Sequence, residues 1–299
     1  MSATEPTATE PTCLWRSPLL GEPRELELTQ GRLQYFVRGE GPPIVFCHGW
    51  LANANLWRDI VNSLAADHQC FAFDLPLGSH RVAMNENADL SPDGCGALIA
   101  DALAALELSD VTLVGNDSGG AYSQIAVATQ PGRVARLVLN SCETPYDEFP
   151  PPPFDGLPAA ARDVETLGTL LGALRDPAVR VTPPAYGLLI KHPIEPAVSD
   201  SYALPCLYDA GVLSDTSKVM SSAQSAPVHA AGKKLIAEFE RPVLFAWGTE
   251  DQVFPIAHAE RYAEQLRDGR VEPIADAYSF TPEDQPEALA TAIARFVAG

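Results

Sequence analysis

The chain has no run approaching the ~20 consecutive apolar residues that a membrane span needs, and its start lacks a basic segment followed by an apolar one. Neither a membrane anchor nor a secretory leader is indicated, so the mature chain is expected to be cytoplasmic. Basic residues are scarce: 20 Lys and Arg stand against 39 Asp and Glu, a formal net charge of −19 at pH 7. Such a field repels phosphate backbones and anionic lipid surfaces, which argues against nucleic acid or membrane partners; a small-molecule substrate is a separate expectation. A homodimer is left open. The six cysteines (Cys13, Cys47, Cys70, Cys95, Cys142 and Cys206) show no CxxC or Cys/His ligand spacing, so neither a metal site nor a disulfide framework is suggested. They read as reduced, mostly buried small hydrophobes. No internal repeat of fixed period is present, which sets solenoids and propellers aside.

The 299 residues are 46% hydrophobic and 20% charged, enough to bury one large core or two modest ones. Residues 1–20, opening MSATEPTATEPT, are too poor in large apolar side chains to offset their ordering entropy and read as a flexible tail. Short β-branched or aromatic runs then alternate with segments of helical period. RELEL, LQYFV, PIVFC and QCFAF are expected strands, with a helix around Ala54–Ala65. Pro92–Leu108 is an expected helix, Val111–Val114 a strand, Ala121–Gln130 a helix and ARLVLN a strand. RPVLFAW and RVEPI are further strands, flanking a helix at Ala257–Leu266, and Glu287–Val297 closes the chain. This is a βα repeat whose short, fully apolar strands suit a mostly parallel twisted sheet covered on both faces. The alternation breaks over 146–231, which opens in YDEFPPPPFDGLP and continues in short Ala/Leu helical segments; it reads as an inserted helical cap between core segments 21–145 and 232–299.

The most informative residues are Val114-Gly115-Asn116-Asp117-Ser118-Gly119-Gly120, between an apolar strand and a helix. A nucleophile elbow holds its apical residue in a strained turn and needs small residues two before and two after it. Gly115 and Gly119 fit those places with Asp117 at the apex. The competing register makes Ser118 the apex and puts Asn116 where a small residue is needed, and a plain Gly-rich turn without chemistry is the other alternative. A Rossmann reading is weaker, because GNDSGG is not GxGxxG.

With these residues the chain resembles the α/β-hydrolase superfamily, and within it the aspartate-nucleophile group of haloalkane dehalogenases and epoxide hydrolases. His48-Gly49 looks like that superfamily's HG motif, which implies that the amides of Trp50 and Ser118 form an oxyanion hole and that His48 lies near the substrate. Asp74-Leu75-Pro76-Leu77-Gly78-Ser79 resembles its D-x-P-G-x-G-x-S loop with altered spacing. Trp247-Gly248-Thr249-Glu250-Asp251 resembles the element that supplies a triad acid, and Glu143 matches the alternative position used by some dehalogenases. The resemblance implies a histidine in D-A-G-H-F-x-P, but the sequence reads Asp276-Ala277-Tyr278-Ser279-Phe280-Thr281-Pro282, with Ser279 at that place and no histidine beyond residue 258.

A serine at its ordinary pKa cannot activate the water that hydrolyses an aspartyl ester. His80, on the loop after the fourth strand, is the first candidate for a substitute base, and an exposed loop histidine beside Arg81 is its plainer role. His48 fits a structural role better, His258 is expected to be too distant, and His192 and His229 belong to the cap. Tyr186, Tyr202 and Tyr208 are the cap tyrosines that an epoxide hydrolase would need to protonate the epoxide oxygen, although packing is their plainer role. Phe149, Phe154, Leu188 and Leu189 point to a largely apolar substrate, with no cofactor implied. Three functions stay open: a hydrolase-type enzyme built on Asp117, a non-hydrolytic acid/base enzyme (isomerase, epimerase, cyclase or lyase) using Asp117 in the same pocket, and a catalytically silent binding protein.

Overall fold

The computed structural model describes residues 12–299. Eight strands form one sheet in the order β1-β2-β4-β3-β5-β6-β7-β8. They are β1 (Glu22–Leu28), β2 (Gly31–Arg38), β3 (Pro43–Cys47), β4 (Gln69–Asp74), β5 (Val111–Asn116), β6 (Val134–Asn140), β7 (Val243–Gly248) and β8 (Gly269–Ile274). Only β2 runs against the others, pairing antiparallel with β1 and β4. The central strands β5 and β7 are buried at every residue, which is why their sequences read as continuous apolar runs rather than alternating ones. The edge strand β1 is mostly exposed and carries Pro23 and three glutamates, a composition that discourages further strand pairing.

Helices α1 (Arg58–Leu64), α2 (Pro92–Ala105) and α3 (Ser118–Thr129) follow β3, β4 and β5. Helix α2 begins as its sequence suggests: Ser91 caps it by accepting from the Gly94 amide, and Pro92 takes the first turn. Between β6 and β7 lie the cap helices α4 (Leu157–Ala160), α5 (Val164–Leu171), α6 (Pro177–Arg180), α7 (Pro196–Ala203), α8 (Pro205–Tyr208) and α9 (Ala210–Ser221). Helix α10 (Ser225–Glu238) comes next and packs along α3 in the helical layer of the core. A cap boundary at 231/232 therefore cuts a continuous helix; the change from cap to core falls near residue 224. Helices α11 (Ile256–Gln265), α12 (Thr281–Asp284) and α13 (Pro286–Ala298) complete the chain. The six cysteines are free and buried.

The expected tail needs correction over its second half, while residues 1–11 lie outside the described residues. Cys13 and Leu20 are buried in the core. The Arg16 guanidinium donates to both carboxylate oxygens of Asp74, at 3.2 and 2.8 Å, and to the Ser79 carbonyl at 2.7 Å. The Arg16 and Asp74 side chains are 2% and 0% exposed. The Ser17 amide donates to Asn55, whose own amide reaches Ser201 of the cap, so this segment joins core and cap. Composition misses this because two polar residues, not a hydrophobic face, hold the segment down. Deleting residues 1–20 leaves a buried Asp74 without its cation, and a broken buried pair costs about 3–5 kcal/mol. An unfolding free energy lowered by that amount in urea melts is the expected outcome, whereas an unchanged value would restore the dispensable tail.

Candidate active site

Every motif singled out in the sequence lies at the carboxyl ends of the parallel strands. His48–Trp50 follow β3, Asp117 follows β5, Ser141–Glu143 follow β6, Asp251 follows β7 and Ser279 follows β8. Asn116 and Asn140, adjacent across β5 and β6, tie these ends together. Asn116 Nδ2 donates to the Ser279 carbonyl at 2.8 Å, and Asn140 Nδ2 donates to the Ala246 carbonyl at 2.7 Å.

Asp117 caps α3 with φ 54°, a left-handed conformation that is costly for a residue with a side chain. The turn is held by the Asp117 amide donating to the Ser141 carbonyl at 3.1 Å and the Gly120 amide donating to the Asp117 carbonyl at 2.8 Å. A Cβ at Gly115 would lie 2.6 Å from the Gly119 carbonyl oxygen, and one at Gly119 would lie 2.3 Å from that of His48. The spacing argument for Asp117 rests on these two contacts, both with rigid backbone. Ser118 is instead the first residue of the helix.

The two amides expected to form an oxyanion hole are engaged within the protein. The Ser118 amide donates to Asp117 Oδ1, and the Trp50 amide donates to Ser118 Oγ at 2.9 Å. Neither is left for a substrate oxygen in this arrangement, because the short Asp117 and Ser118 side chains fold back onto the backbone beside them.

Asp117, Ser118, Trp50 and Glu143 line a cavity of about 570 Å³ between core and cap. The other lining is largely apolar and includes Phe149, Phe154, Leu188 and Leu189, as expected. Among the described residues no Lys, Arg or His lines it. Burial, helped by the Asp251 charge, raises the Asp117 carboxyl to about 6 against the lowering effect of its bonds to Ser118. Glu143, 1% exposed, is held well above the ordinary glutamate value by burial and by the charge of Asp117, and its Oε2 has no hydrogen-bond partner. Two carboxyl groups in one apolar cavity do not both ionise readily, so of the pair Asp117 gives up its proton first and Glu143 holds its own.

Asp251 and Ser279 are not among the residues that line the cavity. Ser279 Oγ donates to Asp251 Oδ1 at 2.6 Å, and the amides of Val253 and Phe254 donate to the same oxygen at 2.8 Å each. Asp251 Oδ2 is buried without a partner.

Several expected site residues are elsewhere. His80 is buried with Nε2 3.3 Å from Asp215 Oδ2 on α9, because α9 covers the loop after β4 and draws the ring away from the elbow. His48 is a structural residue: its Nε2 accepts from the Leu75 amide at 2.8 Å, so its Nδ1–H donates to the Gly49 carbonyl at 2.9 Å, and burial lowers its pKa to about 4. Of the remaining imidazoles, His192 lies beside Asp276, His229 on the Asp147 carbonyl and His258 on Asp147 Oδ1. The buried His68 Nδ1 has no partner. Of the three cap tyrosines, Tyr186 lines the cavity and Tyr202 and Tyr208 do not, and the Tyr186 hydroxyl is spent on the Leu51 carbonyl at 2.8 Å. Tyr202 is turned to Glu283 at 2.6 Å, in a cluster with Arg58, and Tyr208 is 66% exposed beneath Arg175. Tyr122, absent from the sequence reading, lines the cavity at 1% exposure. Its signal was its place four residues after Ser118, one turn along the same helix face. No cluster of three His, Cys, Asp or Glu side chains among the described residues is arranged to hold a metal ion.

A mostly parallel sheet with a strained strand-to-helix elbow beneath an inserted cap is the architecture of the α/β hydrolases. The profile of the alpha/beta hydrolase fold family matches residues 42–286, and the chain belongs to that family. It is similar to haloalkane dehalogenase 2 of Mycobacterium tuberculosis, with 24% identity covering 91% of this chain and 93% of the relative. It is also similar to the pimeloyl-[acyl-carrier protein] methyl ester esterase of Neisseria meningitidis, with 25% identity covering 86% and 93%. Among solved structures, haloalkane dehalogenase DbeA from Bradyrhizobium elkani superposes with a TM-score of 0.76 at 20% identity, over 93% of this chain and 98% of that one. No helix among the described residues is long and apolar enough to cross a membrane.

Proposed function

We propose that this α/β-hydrolase family member is an enzyme acting on a small, largely apolar, uncharged organic molecule, with Asp117 as its working carboxylate in a proton-transfer step rather than a hydrolytic cycle. One observation carries the reading: Asp117 and Glu143 share an apolar cavity that no imidazole lines. With Asp117 raised to about 6 and Glu143 keeping its proton, the pair offers a base and an acid at neutral pH without a third group. The absence of lining cations, together with the Asp117 charge, disfavours carboxylate or phosphate substrates.

Similarity to a haloalkane dehalogenase supports a second reading, in which Asp117 attacks an electrophilic carbon. An ester so formed needs an activated water for release, and the Ser279 hydroxyl, already donated to Asp251, is no base. The two readings separate when the protein meets benzyl bromide and is followed by intact mass and peptide mapping. No adduct at Asp117 is expected under proton transfer. A long-lived adduct on the Asp117 peptide would support the nucleophilic reading. Rapid multiple turnover with no accumulating adduct would contradict both, because it requires a base that neither reading contains.

A further inference from the structure

Among the backbone donors at the elbow, the Trp50 and Ser118 amides are already used, on Ser118 Oγ and Asp117 Oδ1. A substrate oxygen entering the cavity must find its donors elsewhere. Tyr122 and Glu143 line the same space. Tyr122, 1% exposed, has its ring fixed edge-on to Phe149 with centroids 5.8 Å apart at 85°, and among the described residues nothing hydrogen-bonds its hydroxyl. Glu143, also 1% exposed, has an unpartnered Oε2. Burial, with the Asp117 charge, raises the Tyr122 hydroxyl well above its ordinary value, so it stays a donor, and Glu143 holds its proton for the reasons given above. The buried, unpartnered Glu143 carboxyl carries a desolvation penalty that a ligand acceptor removes.

We infer that Tyr122 and Glu143 are a paired-donor site for the oxygen of a neutral, apolar carbonyl compound, with Asp117 in the same cavity to take a proton from the carbon beside that carbonyl. The role of Asp117 rests on the proposed function; the donor pair does not. An ammonium ligand would pair with Asp117 and leave both O–H groups unmet, whereas an anion would meet the Asp117 charge with no lining cation to offset it. In the step itself the α C–H bond breaks and its proton moves to an Asp117 carboxylate oxygen. The electron pair forms the C=C bond of an enolate, and the carbonyl π pair moves to the oxygen held by Tyr122 and Glu143. Return of the proton to the same or a conjugated carbon restores Asp117, so no oxidant, reductant or co-reactant is consumed.

Octanophenone labelled with carbon-13 at the carbonyl is a suitable probe. Infrared difference spectra read hydrogen bonding at the oxygen, and NMR in heavy water reads α-proton exchange. Bound to the wild-type protein, its C=O stretch is expected at lower wavenumber than in hexane. Tyr122→Phe and Glu143→Leu should each recover part of that shift, while Glu143→Gln, which retains a donor, should largely keep it. Exchange should slow about a hundredfold in Tyr122→Phe, the usual effect of removing one such donor. Melting curves identify any variant that fails to fold, and Tyr122→Phe and Glu143→Gln change few atoms. No saturable binding to the wild type, or an unchanged stretch in both Tyr122→Phe and Glu143→Leu, overturns the inference. A donor-dependent shift without exchange keeps the paired-donor site and removes the base role of Asp117. Full-rate exchange with an unshifted stretch in Tyr122→Phe keeps the base and overturns the site.

Discussion

Replacing Asp117 by asparagine is expected to slow α-proton exchange of octanophenone by about 10²–10⁴-fold, the range that a positioned general base contributes, without lowering the melting temperature. The amide is nearly the size of the carboxylate, and its carbonyl oxygen can still accept from the Ser118 amide. What is lost is basicity. The fold should lose nothing, because burial disfavours the ionised carboxylate and the asparagine removes that penalty above a pH of about 6. The sign follows from the direction of the shift. A carboxyl raised in the folded state holds its proton more tightly than in the unfolded chain, so its contribution to stability falls as pH rises from the ordinary 3.8 to about 6. The variant should therefore gain on the wild type across that window, as read by paired melting curves. Exchange at the wild-type rate in Asp117→Asn would remove this residue from the chemistry.

The second large effect is a gain. Ser279→His is expected to speed release of any benzyl adduct on Asp117 by about 10²–10⁴-fold, again the range for general base catalysis. Ser279 Oγ already stands 2.6 Å from Asp251 Oδ1, and Asp251 Oδ2 lacks a partner, so an imidazole at this position has a carboxylate to orient it. Ser279 is fully buried, and inserting a larger ring there costs about 1–3 kcal/mol of stability, which a melting curve should register. Adduct decay is followed by intact mass, with bromide release as the measure of renewed turnover. A folded Ser279→His protein that neither turns over nor releases adduct would show that Asp251 and Asp117 are not placed to share an imidazole.

Much of this was legible in the sequence, for reasons that particular residues make plain. The parallel sheet shows because β5 and β7 are buried at every residue and so carry unbroken apolar runs. The elbow shows because two close backbone approaches leave no room for a side chain at Gly115 or Gly119, which places Asp117 at the turn. Other features depend on contacts far apart in sequence. Arg16 reaches Asp74 across 58 residues, so the packed segment before β1 looks like tail. His80 was expected near the elbow because its loop borders that region, but the direction of its ring is set by Asp215, 135 residues away on α9. Tyr202 and Tyr208 share a cap segment with no periodicity that separates a residue facing Glu283 from one facing solvent. Tyr122 was within reach: beginning the expected helix at Ala121 hid its first turn, and starting it at Ser118 brings Tyr122 onto the elbow face.

Two carboxyl groups in one apolar cavity, one charged and one protonated at neutral pH, are what the proposed proton transfer requires. Carbon-13 NMR of protein labelled at the Asp and Glu side-chain carboxyls, with signals assigned through Asp117→Asn and Glu143→Gln, measures this directly. The result expected is an Asp117 titration near 6 with Glu143 remaining protonated through neutral pH. Titration of Asp117 at the ordinary 3.8, with Glu143 ionised at neutral pH, would contradict the account, because the cavity would then hold neither a base of the right strength nor a proton to give.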